Sequence, residues 1–145
     1  DRDVRGRAAG RRAVSDRPII VFDGECVLCS AGARFVMRHD RRRRFRLAAM
    51  QSEAGAALAR RFGIDPADPA TMILVEGGRA RRDSDALLAV CAGLGWPWKA
   101  AAAARLVPPP MRDRAYRWLA CNRYRIAGRR DACWVPAPED SDRLL

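Results

Sequence analysis

Apolar residues first gather in the run Ile19-Ile20-Val21-Phe22, which is too short for a helix and stops at Asp23-Gly24. The run predicts a buried strand over 18–22 closed by a tight turn. Ahead of it, residues 1–17 mix Arg, Gly, Ala and Asp without any period, which is the pattern of a flexible arm. Beyond the turn the spacing becomes helical, with Leu28, Ala31, Phe35 and Val36 as the inward stripe of a helix that starts at or just after Cys26 and runs to about His39. Arg41 to Arg44 follow its C-terminal end, where cations complement the helix dipole.

Alternation over 45–50 predicts a second strand, and Ser52 is placed to cap a helix that turns Ala54, Ala57, Leu58 and Phe62 inward before Gly63 stops it. Pro66 and Pro69 mark a loop. A third strand is expected over 71–75, a hairpin turn at Gly77-Gly78, and a polar edge strand over 79–82. Ser84 then reads as the N-cap of a helix over 85–93 with Leu87, Leu88 and Cys91 inside. Past Trp96-Pro97-Trp98 come a short alanine-rich helix and the break Pro108-Pro109-Pro110. A last helix is expected over about 111–127, with Met111, Ala115, Trp118, Leu119, Asn122 and Ile126 inward.

The order βαβ followed by ββα predicts an α/β chain with the thioredoxin fold, complete within residues 18 to about 95. The helices from about 96 onward form an extension on the same core. One domain is therefore expected over 18–136, with 137–145 as a C-terminal tail, and 145 residues are enough for a substantial core without disulfides.

Charge adds a second layer. The net charge is +11, and of the 28 basic residues only Lys99 is lysine, a bias that GC-rich coding also produces. The arginines cluster over 1–17, 38–46 and 105–130, which suits an anionic partner, yet no DNA- or RNA-binding motif accompanies them. Nucleic acid is thus not the expected partner, although a basic nucleic-acid-binding module stays open as an alternative. Five cysteines, an odd number, and the lack of a signal-like or membrane-spanning apolar stretch argue against a secreted disulfide framework and for a reducing, cytoplasmic setting.

The chemistry concentrates in Asp23-Gly24-Glu25-Cys26-Val27-Leu28-Cys29. Two cysteines spaced CxxC at a helix start lie on one face, about 5–6 Å apart at Cβ, within reach of disulfide geometry after a modest adjustment. Cys26 is expected to be the exposed attacking thiolate, placed where the helix terminus favours negative charge, and Cys29 the resolving thiol. Asp23 and Glu25 oppose thiolate formation. Asp23 has two available roles, proton relay to Cys29 or a turn residue that caps nearby backbone N–H groups.

The segment has two competing uses. Zinc needs a second half-site, but His39, Cys91, Cys121 and Cys133 form no further CxxC or CxxH. Phosphotransfer with Asp23 as nucleophile and Glu25 as acid/base needs a downstream lysine and paired acids, and only Lys99 follows. A zinc-binding module remains the metal alternative, while the redox reading requires neither a metal nor an organic cofactor.

Taken in order, Asp23, Cys26 and Cys29, then Ser84-Asp85-Ala86, Arg112-Asp113 with Tyr116, Arg123-Tyr124, and Cys133 with Pro136 resemble the DCC-type thiol-disulfide oxidoreductases, a family named for an Asp-Cys-Cys signature. The resemblance implies a thioredoxin-like fold and dithiol chemistry at Cys26 and Cys29. It also implies a protein or small-molecule disulfide or thiol as substrate, with a thiol reductant as second partner. Thioredoxins proper place a cis-proline directly before the third strand, whereas Pro69 here precedes Thr71 by two residues.

Overall fold

A computed structural model of the chain describes residues 17–67, 72–128 and 143–144. Most of the arm, Pro69 with Thr71, Cys133 with Pro136, and most of the tail lie outside the described residues. Chain order is β1 (Ile19–Phe22), α1 (Val27–His39), β2 (Arg46–Ala49), α2 (Glu53–Arg61), β3 (Ile73–Glu76), β4 (Arg79–Arg82), α3 (Asp83–Gly93), a 3-10 segment (Trp98–Leu106) and α4 (Pro109–Ala127).

The strands form one sheet in the order β2-β1-β3-β4. β1 pairs parallel with β2, Ile19 opposite Arg46, and antiparallel with β3, Val21 opposite Ile73. β3 and β4 form the expected hairpin, with Gly77 and Gly78 both at positive φ in its turn. This is a thioredoxin-like α/β arrangement extended by a C-terminal helix.

Alternation along the strands splits the core between the two faces of the sheet. Ile20, Phe22, Leu47 and Leu74 pack with Ala33 and Val36 of α1 and with Ala86 and Val90 of α3. On the other face Val21, Ala48, Ile73 and Val75 meet Ala59 of α2 and Ile64. Ser52 caps α2 as expected, its side chain accepting the Gly55 N–H at 3.1 Å. Gly55 permits the close approach of α2 to β2, because a Cβ there would lie 1.9 Å from the Ala49 carbonyl oxygen.

The inward stripes of all four α-helices differ from the sequence expectation. In α1 the buried positions are Ser30, Ala33 and Val36, while Leu28 and Phe35 are about one-third exposed. In α2 the buried positions are Gly55 and Ala59, and Ala57 faces outward. In α3 the buried positions are Ser84, Ala86, Leu88 and Val90, while Leu87 faces outward and Cys91 is only partly buried. The largest change is in α4, where Met111, Trp118 and Ile126 are more than half exposed and the helix turns Asp113, Tyr116, Ala120 and Arg123 toward the domain. The physical reason is that α4 docks through hydrogen bonds rather than through its apolar stripe. Ser84, expected as an N-cap, belongs to this interface. α3 begins two residues earlier than expected, at Asp83 with Arg82 as its N-cap, and the buried Ser84 hydroxyl bonds the Asp113 carboxylate. Arg117 adds an ion pair to Asp83 at 3.3 Å, and Tyr116 accepts the Met72 N–H at 3.3 Å.

Candidate active site at the start of the first helix

β1 ends at Phe22, and the chain turns through Asp23-Gly24 so that Cys26 becomes the N-cap of α1. The Cys26 sulfur accepts the Cys29 N–H at 3.2 Å, the capping bond that serine or aspartate makes elsewhere. Both cysteines are free thiols. The CxxC spacing has therefore become one helical turn, with the two residues joined by a backbone-to-sulfur bond.

Exposure of the pair departs from expectation. Cys26 has no exposed surface, and Cys29 is half-buried in the wall of an apolar cavity. The Val27 N–H bonds the Gly128 carbonyl at 3.3 Å, so the end of α4 touches the start of α1. Burial pushes the Cys29 thiol well above the ordinary cysteine range. The bond to Cys26 and the electrostatic influence of that neighbouring thiol push it further, Asp23 adds to the rise, and only Arg123 opposes it.

Asp23 is almost fully buried and its carboxylate is heavily committed. Oδ1 accepts Gln51 Nε2 at 2.7 Å and the Glu25 N–H at 3.1 Å. Oδ2 accepts the Tyr124 hydroxyl and lies 3.5 Å from Arg123 Nη2. Burial raises the carboxyl, but the bonds from Tyr124, Gln51 and the Glu25 amide, with the Arg123 charge, outweigh it and hold Asp23 below the ordinary carboxylate range. These contacts of Asp23 tie the β1–α1 turn to the turn between β2 and α2 through Gln51 and to α4 through Tyr124 and Arg123. A phosphotransfer nucleophile would need an uncommitted oxygen, and these contacts leave no such role for it.

A pH dependence follows from that anchoring. An unfolded aspartate titrates near about 3.9, above the folded value, so the unfolded chain takes up the proton first as pH falls. Stability from Asp23 is complete above the unfolded value and is lost as pH drops through the folded one. Urea midpoints measured from pH 7 down to pH 3 should therefore fall in the native protein and fall less in Asp23→Asn, which starts from a lower midpoint at pH 7. Parallel curves would remove Asp23 as a source of acid sensitivity.

Arg123 and Tyr124 are family-pattern positions on the last helix, and the structure brings both to Asp23, 100 and 101 residues away. Their detectable signal was a polar stripe, Asp113, Tyr116 and Arg123, on one face of a helix whose apolar stripe lies elsewhere. His39 is not near the pair. It bonds the Phe35 carbonyl at 2.8 Å and packs against Phe35 and Trp98. Cys91 lies in α3 with its thiol raised by burial, and Cys121 is exposed on α4. Among the described residues no group of three or more His, Cys, Asp or Glu is placed to hold a metal ion, and no helix is long and apolar enough to cross a membrane.

Comparison with known proteins matches residues 20–129 to the DCC1-like thiol-disulfide oxidoreductase family. A chloroplastic DCC family protein of Arabidopsis thaliana is 42% identical over 118 residues, covering 81% of this chain and 69% of that protein. The Bacillus subtilis protein YuxK, described as uncharacterized, is 30% identical over 127 residues, covering 88% of this chain and 93% of its own. No solved structure matches the chain. The chain belongs to the DCC1-like thiol-disulfide oxidoreductase family.

Proposed function

We propose that this member of the family exchanges electrons with thiols and disulfides through the Cys26/Cys29 pair, with Cys26 as nucleophile and Cys29 as resolving thiol. The observation that supports it most is the sulfur N-cap: Cys26 sits at the start of a 13-residue helix and already accepts an N–H, surroundings complementary to negative charge. Cys26 as thiolate attacks one sulfur of a substrate disulfide, forming a mixed disulfide and releasing the other half as thiolate. Cys29 then gives up its proton and attacks the Cys26 sulfur, forming the internal disulfide and releasing the second thiolate; an external thiol reductant restores the dithiol.

The electrostatics order these two steps. While Cys26 carries charge, it helps hold the proton on Cys29. Forming the mixed disulfide removes that charge, so Cys29 ionises more readily when its attack is needed. Asp23 acts as a positioning residue that fixes the turn, and reaching Cys26 requires parting contacts around the helix start, of which Val27 to Gly128 is one. A cytoplasmic or other reducing compartment fits a dithiol that must be recycled.

Cys29→Ser tests the division of roles. Offered a chromogenic aromatic disulfide, this variant should accumulate a stable mixed disulfide whose peptide map places the adduct on Cys26. An adduct on Cys29 in the reciprocal Cys26→Ser variant, with none on Cys26 in Cys29→Ser, would reverse the assignment.

A further inference from the structure

The cavity beside Cys29 carries an inference that does not depend on exchange chemistry. It encloses about 300 Å³ between α1, α3 and α4, and its lining is almost wholly apolar. Leu28, Phe35, Leu87 and Leu119, all lining residues, are 36–44% exposed, so the cavity opens to solvent between the three helices. An apolar cavity of about 150 Å³ already holds benzene; this one has room for a two-ring molecule.

Gly32 marks the space. It lies in the wall on α1, three residues from Cys29 and Phe35 and four from Val36, all of which also line the cavity. Glycine inside a helix costs about 1 kcal/mol against alanine, and at Gly55 a close backbone explains that cost. At Gly32 a Cβ would meet nothing within 4 Å, so no neighbour requires the glycine, and its effect is to leave the wall open.

The Asp23 carboxylate, the Arg123 guanidinium and the Tyr116 hydroxyl, which line the wall, each have polar partners within the fold. Asp23 is bonded as described, Arg123 pairs with it and donates to the Ala120 carbonyl at 2.7 Å, and Tyr116 holds the Met72 N–H. The Asp23–Arg123 pair balances its own charge, which selects against a charged ligand. A peptide segment would bring backbone N–H and C=O groups that this lining leaves unsatisfied. We propose that the cavity between α1, α3 and α4 is a binding site for a small, neutral, largely apolar molecule of about two rings, seated against Cys29.

The neutral fluorophore N-phenyl-1-naphthylamine tests this on the full chain. Saturable binding is expected, weakened at least 10-fold in Gly32→Leu, which fills the space, and in Leu119→Glu, which puts a charge at a half-exposed position in the wall and covers the case in which Gly32→Leu fails to fold. Peptide-resolved alkylation of the reduced protein supplies the location: bound probe should slow labelling of Cys29 and Cys91, both in the wall, and leave the exposed Cys121 unchanged. Absence of saturable binding overturns the proposal. So does binding that both variants retain, or that leaves Cys29 and Cys91 unprotected, since the probe would then sit elsewhere, for instance on the exposed Trp118 face of α4.

Discussion

Cys26→Ser should lower disulfide exchange by at least about 10³-fold, to the level of free thiol in solution, because the hydroxyl that replaces the sulfur is not a nucleophile toward disulfides at neutral pH. The substitution is also structurally mild. A serine at this position can accept the Cys29 N–H that the sulfur accepts now, and serine is a preferred N-cap. Folding stability should therefore change by less than about 1 kcal/mol, which separates lost chemistry from lost structure. Cys29→Ser should also abolish turnover but keep the first attack. Equal activity in Cys26→Ser and the native protein, measured by reduction of a dithiobis substrate, would remove Cys26 from the mechanism.

The largest stability effect is expected far from the pair. Arg143 and Asp40 are an ion pair with both side chains 1% exposed. Asp40 ends α1 and accepts the Arg44 and Phe45 N–H groups at 3.0 and 2.9 Å, so it organises the connection into β2. Arg143 also donates to the Phe45 carbonyl through Nη2 at 3.2 Å and to the Met37 carbonyl at 3.4 Å, and Leu144 next to it bridges Leu47. Removing one member of such a pair strands a buried charge, at a cost of about 3–5 kcal/mol. Arg143→Ala and Asp40→Ala should each lower the denaturant midpoint by that equivalent, and the double variant by less than their sum. Additive losses would mean that the two residues stabilise the fold independently.

Legibility in the sequence followed the range of the interactions. Strands, turns, the Ser52 cap and the CxxC at the strand–helix junction were readable because their causes lie within a few residues: a run of β-branched residues, Asp-Gly, Gly-Gly, a capping hydroxyl. The face on which α4 docks was not, because its partners are Ser84, the Met72 N–H and Asp23, and hydrophobic periodicity instead favoured the stripe through Met111 and Trp118 that is exposed. The matched positions Ser84, Asp113, Tyr116, Arg123 and Tyr124 were visible as a pattern, and the structure supplies its physical content: they are the polar bonds that fasten α4 over the α1–α3 face and to the Asp23 turn. Arg143 offered no local sign at all, being one basic residue among many in a chain of net charge +11.

The burial of Cys26 also revises the sequence expectation of an exposed attacking sulfur. The apolar first turn around Val27 and Leu28 gave no hint of it, and the neighbouring Val27 N–H is likewise engaged at long range, by the Gly128 carbonyl about a hundred residues along the chain.

The central claim, that Cys26 and Cys29 form a redox pair, is tested most directly by equilibrating the native protein across a series of thiol/disulfide buffers, trapping with an alkylating reagent and mapping each cysteine by mass. The account predicts that Cys26 and Cys29 lose their label together in a two-electron transition, linked to each other, and regain it on reduction, while Cys91 and Cys121 stay alkylatable as thiols. Cys26 and Cys29 remaining labelled across the series, or linking to other cysteines instead of to each other, would contradict it.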